Sequence, residues 1–235
     1  MAVGEGLPLA ASHATMVGPQ GEGAVLLPSE EYLRQVTVGE VAVHNGTIRL
    51  EPYNPAWPAQ FAIQAERIQK ALGEKALMVE HVGSTAVPGL WAKPILDILL
   101  LVDDPSREAD YLPALEQAGY PLRVREPDWF QHRMCKGGDP VVNLHIFGWG
   151  CPEANRMLAF RDWLRAHPED RGRYARVKQE LAARRWTYVQ EYADAKSQVV
   201  SEILERAGAR VESKPALAVP PIPGSTPLKT PGSEG

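Results

Sequence analysis

His81-Val-Gly-Ser-Thr-Ala-Val-Pro-Gly-Leu-Trp-Ala-Lys-Pro-Ile-Leu-Asp97 is the stretch from which the rest of the chain can be read. It joins a small Gly-Ser turn to a lone carboxylate, Asp97, set among Ile95, Leu96, Ile98, Leu99, Leu100 and Leu101. A nearly continuous apolar run over Ile95–Val102 suits a strand covered on both faces. A carboxylate in such a strand is costly to bury unless it meets a cation, a metal or several N–H donors. Lys93, four residues earlier, is one such cation, and is equally suited to a ligand phosphate. Gly83 lets the backbone come close to a ligand, and the hydroxyls and N–H groups of Ser84 and Thr85 can hold an anion. Ser and Thr also serve as ordinary helix caps.

Nucleotidyl-transferring enzymes use a Gly-Ser turn for phosphate and a strand with two carboxylates for Mg²⁺. The second carboxylate would stand at position 99, roughly 6.6 Å along the same face, and that residue is Leu99. Asp103 shares the face but is roughly 20 Å away. Glu80, on the preceding strand, is the remaining candidate. Asp97, with Glu80 and His145, is therefore expected either to bind Mg²⁺ or to move a proton.

Working outward, Trp57–Leu72 has the apolar spacing of an amphipathic helix, and Ala76–Val82 reads as a strand. Arg107–Ala118 reads as a helix stopped by Gly119. Strands are expected at Tyr120–Arg125, Phe130–Cys135 and Val141–Phe147. In the last, Asn143, His145 and Phe147 share a face, so His145 would look toward Asp97 if the two strands are neighbours. His81 and His132 are weaker site candidates. After Gly150 the chain turns helical: Glu153–Ala166, a helix opened by Pro168 and running to about Arg184, and a third over Thr187–Ala207. These helices carry Arg161, Arg165, Lys178 and Lys196. Arg161 and Lys178 are the candidates for neutralising phosphate, and the aromatic residues around them read as core.

Before position 48, Asn45-Gly46 lies between two apolar stretches, Val36–Val43 and Thr47–Leu50, and predicts a hairpin. A short helix is expected around Ser29–Gln35. Residues 1–24 read as a leader, and the Pro/Gly-rich segment from Glu212 as a disordered tail that buries too little apolar surface to offset its ordering entropy. The division expected is thus 1–47, 48–209 and 210–235.

Composition narrows the partners. With 44% hydrophobic and 23% charged residues, this is ordinary globular material. A net charge of −4 gives no strong nucleic-acid signal. Cys135 and Cys151 lack the spacing of a disulfide framework or a zinc site. No apolar run is long enough to span a bilayer, and no signal peptide is legible. A cytoplasmic protein is expected.

Several blocks together resemble the GrpB family: Tyr53-Asn54-Pro55-Ala56-Trp57, Glu80 through Asp97, Asn143-Leu144-His145, and Phe160-Arg161-Asp162-Trp163-Leu164-Arg165. Tyr174 with Lys178 and Tyr192 with Lys196 extend the likeness, which covers about residues 48–207. It implies an α/β (α+β) fold: a nucleotidyltransferase-like mixed sheet with flanking helices and a helical C-terminal half. It carries a fold more securely than a reaction. The expected ligand is a nucleotide or other phosphorylated small molecule, held by Gly83, Ser84, Thr85, Lys93, Arg161 and Lys178. Nucleotidyl or phosphoryl transfer would follow from an intact site. The alternative is a non-catalytic binding or folding-accessory domain on a degenerate nucleotidyltransferase fold.

Overall fold

The structure, a computed structural model, describes residues 30–209. The expected leader and the tail from Glu212 lie outside the described residues. Among the described residues seven α-helices and five strands are arranged as α1 (Glu30–Val36), α2 (Trp57–Leu72), β1 (Met78–Val82), β2 (Leu96–Val102), α3 (Leu112–Gln117), β3 (Leu122–Glu126), β4 (His132–Gly137), β5 (Val142–Gly148), α4 (Pro152–Ala166), α5 (Pro168–Ala182), α6 (Val189–Asp194) and α7 (Ser197–Arg206). The strands form one mixed sheet in the order β1-β2-β5-β4-β3. Only the central β2–β5 pair is parallel among its pairings; β1–β2, β5–β4 and β4–β3 are antiparallel.

Every residue of β2 is buried, because helices cover both faces of the sheet. On one face Leu96, Ile98 and Leu100 meet Trp57, Ile68 and Leu72 of α2 and Leu112 and Leu115 of α3. On the other, Leu99, Leu101 and Phe147 meet Ala154, Met157 and Leu158 of α4. Asp97 belongs to this second face, opposite Val82 of β1 and Asn143 of β5. Helices α5 and α7 close over the same side: Val87 and Leu90, just after the Gly-Ser turn, pack with Leu164, Tyr174, Val199 and Ile203. Among the described residues no helix is long and apolar enough to cross a membrane.

Three expectations require correction. No Asn45-Gly46 hairpin forms. Asn45 does adopt a positive φ of 45°, but its flanks bond elsewhere: Val38 N donates to Arg123 O, and Gly46 exchanges bonds with Trp186. Partners far along the chain thus replace the local one. The helix expected over Arg107–Ala118 is a short 3-10 turn, Glu108–Asp110, followed by α3. Pro113 sits in the first turn of α3 and has no N–H to continue a helix from upstream. The single helix expected over Thr187–Ala207 is broken between α6 and α7. There the Ser197 hydroxyl takes the Asp194 carbonyl, a side-chain bond that competes with the helical ladder. This break sets the position of Lys196.

Candidate functional site

The Gly-Ser turn and Asp97 meet as closely as the chain permits. Gly83 has φ 68° and ψ −167°, a conformation essentially confined to glycine. A Cβ at this position would lie 2.8 Å from Asp97 Cβ, so glycine is also required for space. The turn continues as a 3-10 segment, Ser84–Ala86, which splits its residues between two sides. Ser84 faces a pocket with Lys93, Asp97, Asn143, Lys178 and Lys196. Ala86 faces a separate groove with His81, Glu80 and Arg161.

In the pocket, Asp97 is 7% exposed. Its Oδ1 accepts from Asn143 Nδ2 at 2.9 Å, and His145 Nε2 lies 3.8 Å from the same oxygen. Burial pushes the Asp97 carboxyl up, but the neighbouring His145 ring, the Asn143 amide and Lys93 outweigh it and hold the group below the usual carboxylate range. Lys178, from α5, donates to Ser84 Oγ at 2.8 Å and to the Trp91 carbonyl. Lys196, from the α6–α7 break, lies 4.3 Å from the centre of the Tyr192 ring, and Lys93 lies 5.9 Å from it.

Three lysine amino groups therefore surround one carboxylate, and among the described residues no other carboxylate lines the pocket. The imbalance shows in their acidity. Burial lowers Lys196 to about 7, with Lys93 adding repulsion. Burial likewise lowers Lys93 to about 8, against the pull of Asp97. Lys178 is driven well below the usual lysine range by burial and by its two lysine neighbours. Two buried polar atoms of the lining, Asn143 Oδ1 and Tyr192 Oη, have no hydrogen-bond partner. The free volume is about 20 Å³, where one water needs roughly 10–15 Å³.

The expectations from sequence divide accordingly. Ser84, Lys93, Asp97 and Lys178 come together, with Gly83 as the hinge of the turn. His145 stands directly behind Asp97, as the alternation of its strand predicted, but is buried and does not line the pocket. Thr85 is a fastener: its hydroxyl donates to Ile95 O and contacts His81 Nε2. Burial, with the charges of Arg165 and Arg161, lowers His81 to about 4 despite Asp97. Glu80 and Arg161 lie apart from the pocket and pair with each other at 2.7 Å. Arg161 also donates to the His81 carbonyl and to Asp162.

Mg²⁺ does not fit this donor set. Leu99 occupies the second carboxylate position, Glu80 is directed to Arg161, and the space before Asp97 is occupied by ammonium groups that repel a cation. Among the described residues no three His, Cys, Asp or Glu side chains gather as a metal site. Lys196, Asn143 and Tyr192 are lining residues that the sequence reading did not assign to the site. Tyr192 and Lys196, one helical turn apart, were the available signal.

Comparison with known proteins bears on the whole folded region. The family model described as GrpB protein matches residues 47–206. The UPF0157 protein BH1888 of Halalkalibacterium halodurans is 58% identical over 181 residues, covering 77% of this chain and 93% of that protein. The UPF0157 protein SCO7215 of Streptomyces coelicolor is 44% identical, covering 69% of this chain and 85% of its own length. A dephospho-CoA kinase of Mycolicibacterium paratuberculosis is 32% identical over 68% of this chain, which spans 46% of that protein. The crystal structure of conserved protein GrpB from Enterococcus faecalis superposes with a TM-score of 0.59 at 30% identity, covering 68% of this chain and 96% of that one.

Proposed function

This chain belongs to the GrpB family, and we propose that it binds a phosphorylated small molecule, a nucleotide among them, through the three-lysine pocket and without a metal ion. The observation that carries this reading is the surplus of lysines: Lys93, Lys178 and Lys196 converge where, among the described residues, Asp97 is the one carboxylate lining the pocket, with Asp194 acting on Lys196 from outside it. Buried like charges are unfavourable unless an anion joins them, and phosphate oxygens match ammonium donors. Ser84 Oγ and the unpartnered Tyr192 hydroxyl add neutral donors. The small free volume suits the terminal oxygens of a phosphate, with the remainder of the ligand at the mouth. The name dephospho-CoA kinase, borne by a relative, supports the ligand class; the kinase reaction is not carried over with it. Nucleotidyl or phosphoryl transfer is the second reading, favoured by Asp97 standing inside the anion pocket, where it would serve as the proton acceptor.

The test is thermal denaturation in the presence of a chelator, with inorganic phosphate, AMP and ATP as probes, from pH 6 to 9. Each effective anion is expected to raise the midpoint most near pH 6 and least near pH 9. Lys196 and Lys93 lose their protons near 7 and 8, and with them their attraction for an anion. The unliganded protein runs the other way. Unfolded lysines hold protons to about 10.4, whereas the folded ones release them near 7 and 8. The unfolded state therefore binds more protons in this window, and the lysine contribution to stability rises with pH. No midpoint shift with any of the three probes at pH 6, or a shift that appears only when Mg²⁺ replaces the chelator, would overturn the reading.

A further inference from the structure

The groove on the far side of the Gly-Ser turn is larger than the lysine pocket. Its free volume of about 440 Å³ falls within the roughly 300–1,000 Å³ typical of small-molecule sites. Its two walls differ in character. One is flat and apolar: Tyr53, Pro58 and Phe61, from the start of α2 and the loop before it. There the Phe61 ring stacks on the His81 imidazole, 4.8 Å apart with 9° between the planes. The other wall is basic, with Arg161 and Arg165 from α4 and Arg171 from α5. Among the described residues Glu80, from β1, is the one carboxylate of the lining.

The three guanidinium groups are not equally engaged. Arg161 is a strut: its Nη1 donates to Glu80 at 2.7 Å and to the His81 carbonyl, and its Nε and Nη2 both donate to Asp162. Arg165 donates through Nε to the Ala86 carbonyl at 3.0 Å, and its Nη1 reaches Asp162 at a longer 3.3 Å. Arg171 pairs with no carboxylate among the described residues. Its Nη1 rests on the Leu164 and Arg165 carbonyls at 3.3 and 3.4 Å. Asp170, beside it in sequence, is taken by Arg206. Burial keeps the His81 ring neutral. Set against Glu80 and Asp162, the three arginines therefore leave one positive charge over. It lies on Arg165 and Arg171, which keep guanidinium hydrogens to spare.

We propose that this groove is a second binding site, for a carboxylic acid with a flat apolar body. The carboxylate sits on Arg165 and Arg171, and the body lies against Phe61, Pro58 and Tyr53. One surplus charge matches a monoanion, whereas a phosphate monoester carries about two charges near pH 7. A guanidinium presents parallel N–H donors to the planar carboxylate, a match that a lysine cannot make. The apolar wall rewards burial of a ring through its area and by stacking. The lysine pocket offers the opposite: compact amino groups around a free volume of about 20 Å³, with no space for a ring. This inference goes beyond the phosphate reading and does not rest on it. The Ser84–Ala86 turn separates the two cavities, and no residue lines both.

The test is a ligand-observed NMR titration of the full chain with phenylacetate, acetate and phenylacetamide, which supply both features, the charge without the ring, and the ring without the charge. Phenylacetate is expected to bind at least about tenfold more tightly than either, since each of the others forfeits a charge-assisted bond or an apolar contact. Arg171→Gln should weaken phenylacetate at least about tenfold. Phe61→Leu, which keeps the apolar bulk and removes the ring, should weaken it about threefold. If Arg171→Gln does not fold, Arg165→Gln carries the same expectation. Lys178→Met should leave phenylacetate binding as it is, so the two sites can fail separately. The proposal is overturned if phenylacetate does not bind, if phenylacetamide binds equally well, or if Lys178→Met abolishes phenylacetate binding. Displacement of phenylacetate by inorganic phosphate that persists in Lys178→Met would overturn it too, by marking a site for any anion.

Discussion

Lys178→Met is expected to remove most of the stabilisation by phosphate while leaving the unliganded protein as stable as before, or more so. Lys178 is 2% exposed and donates to Ser84 Oγ from the floor of the pocket. Methionine has nearly the same reach but no charge. It relieves repulsion from Lys93 and Lys196 and the cost of burying an ammonium group. Losing one charge-assisted hydrogen bond to the ligand costs about 2 kcal/mol, or roughly a thirtyfold weaker affinity. A ligand at a hundred times its dissociation constant stabilises the wild type by about 2.7 kcal/mol, and most of that shift should disappear. Calorimetric titration and thermal scans together separate the possibilities. A large fall in the unliganded midpoint with phosphate binding intact would mean that Lys178 is a structural strut and that the pocket reading is mistaken.

Gly83→Ala should be the most damaging single-methyl change in the turn. Any side chain here meets two obstacles: a backbone conformation that costs roughly 1–3 kcal/mol for other residues, and the body of Asp97, 2.8 Å away at Cβ. Overpacking of this kind adds roughly 1–3 kcal/mol, so a loss of about 3 kcal/mol or more is expected in chemical denaturation. A double-mutant cycle with Asp97→Ala separates the two. The alanine at 83 should cost less when Asp97 is truncated, and the remainder is the backbone penalty. An unchanged midpoint for Gly83→Ala would show that the turn can relax away from β2, and that its contact with Asp97 is not a constraint.

Much of this arrangement was legible in the sequence because it depends on short-range rules. The period of two in Val141–Phe147 put Asn143, His145 and Phe147 on one face, and the apolar run Ile95–Val102 marked a strand covered on both faces. Those two facts bring His145 behind Asp97 once the two strands are neighbours, as they are here. The proline starts of α4 and α5 were equally local. What escaped depended on partners distant in sequence. The residues around Asn45 had a turn's chemistry but found Trp186 and Thr187 instead of each other. Lys196 could not be placed until the helix broke at Ser197, a position with neither glycine nor proline to mark it. Glu126 was missed for a smaller reason: the strand was expected to end at Arg125. One residue further, the alternation of Leu122, Val124 and Glu126 points an acid inward, a signal of the same kind as Asp97 itself.

The three lysines come from the loop before β2, from α5 and from the start of α7, segments that meet only when the C-terminal helices have settled on the sheet. Closing so long a stretch of chain is an entropic cost borne late in folding, and here the final contact brings like charges together. The lysine cluster is thus a weak seam between the sheet and its helical cover. An anion seated there would act as a rivet, joining three distant parts of the chain through one group. Local opening of α6 and α7 would then be set by how much ligand the surroundings supply. In this fold the occupant of the pocket would be as much a part of the tertiary structure as a guest within it.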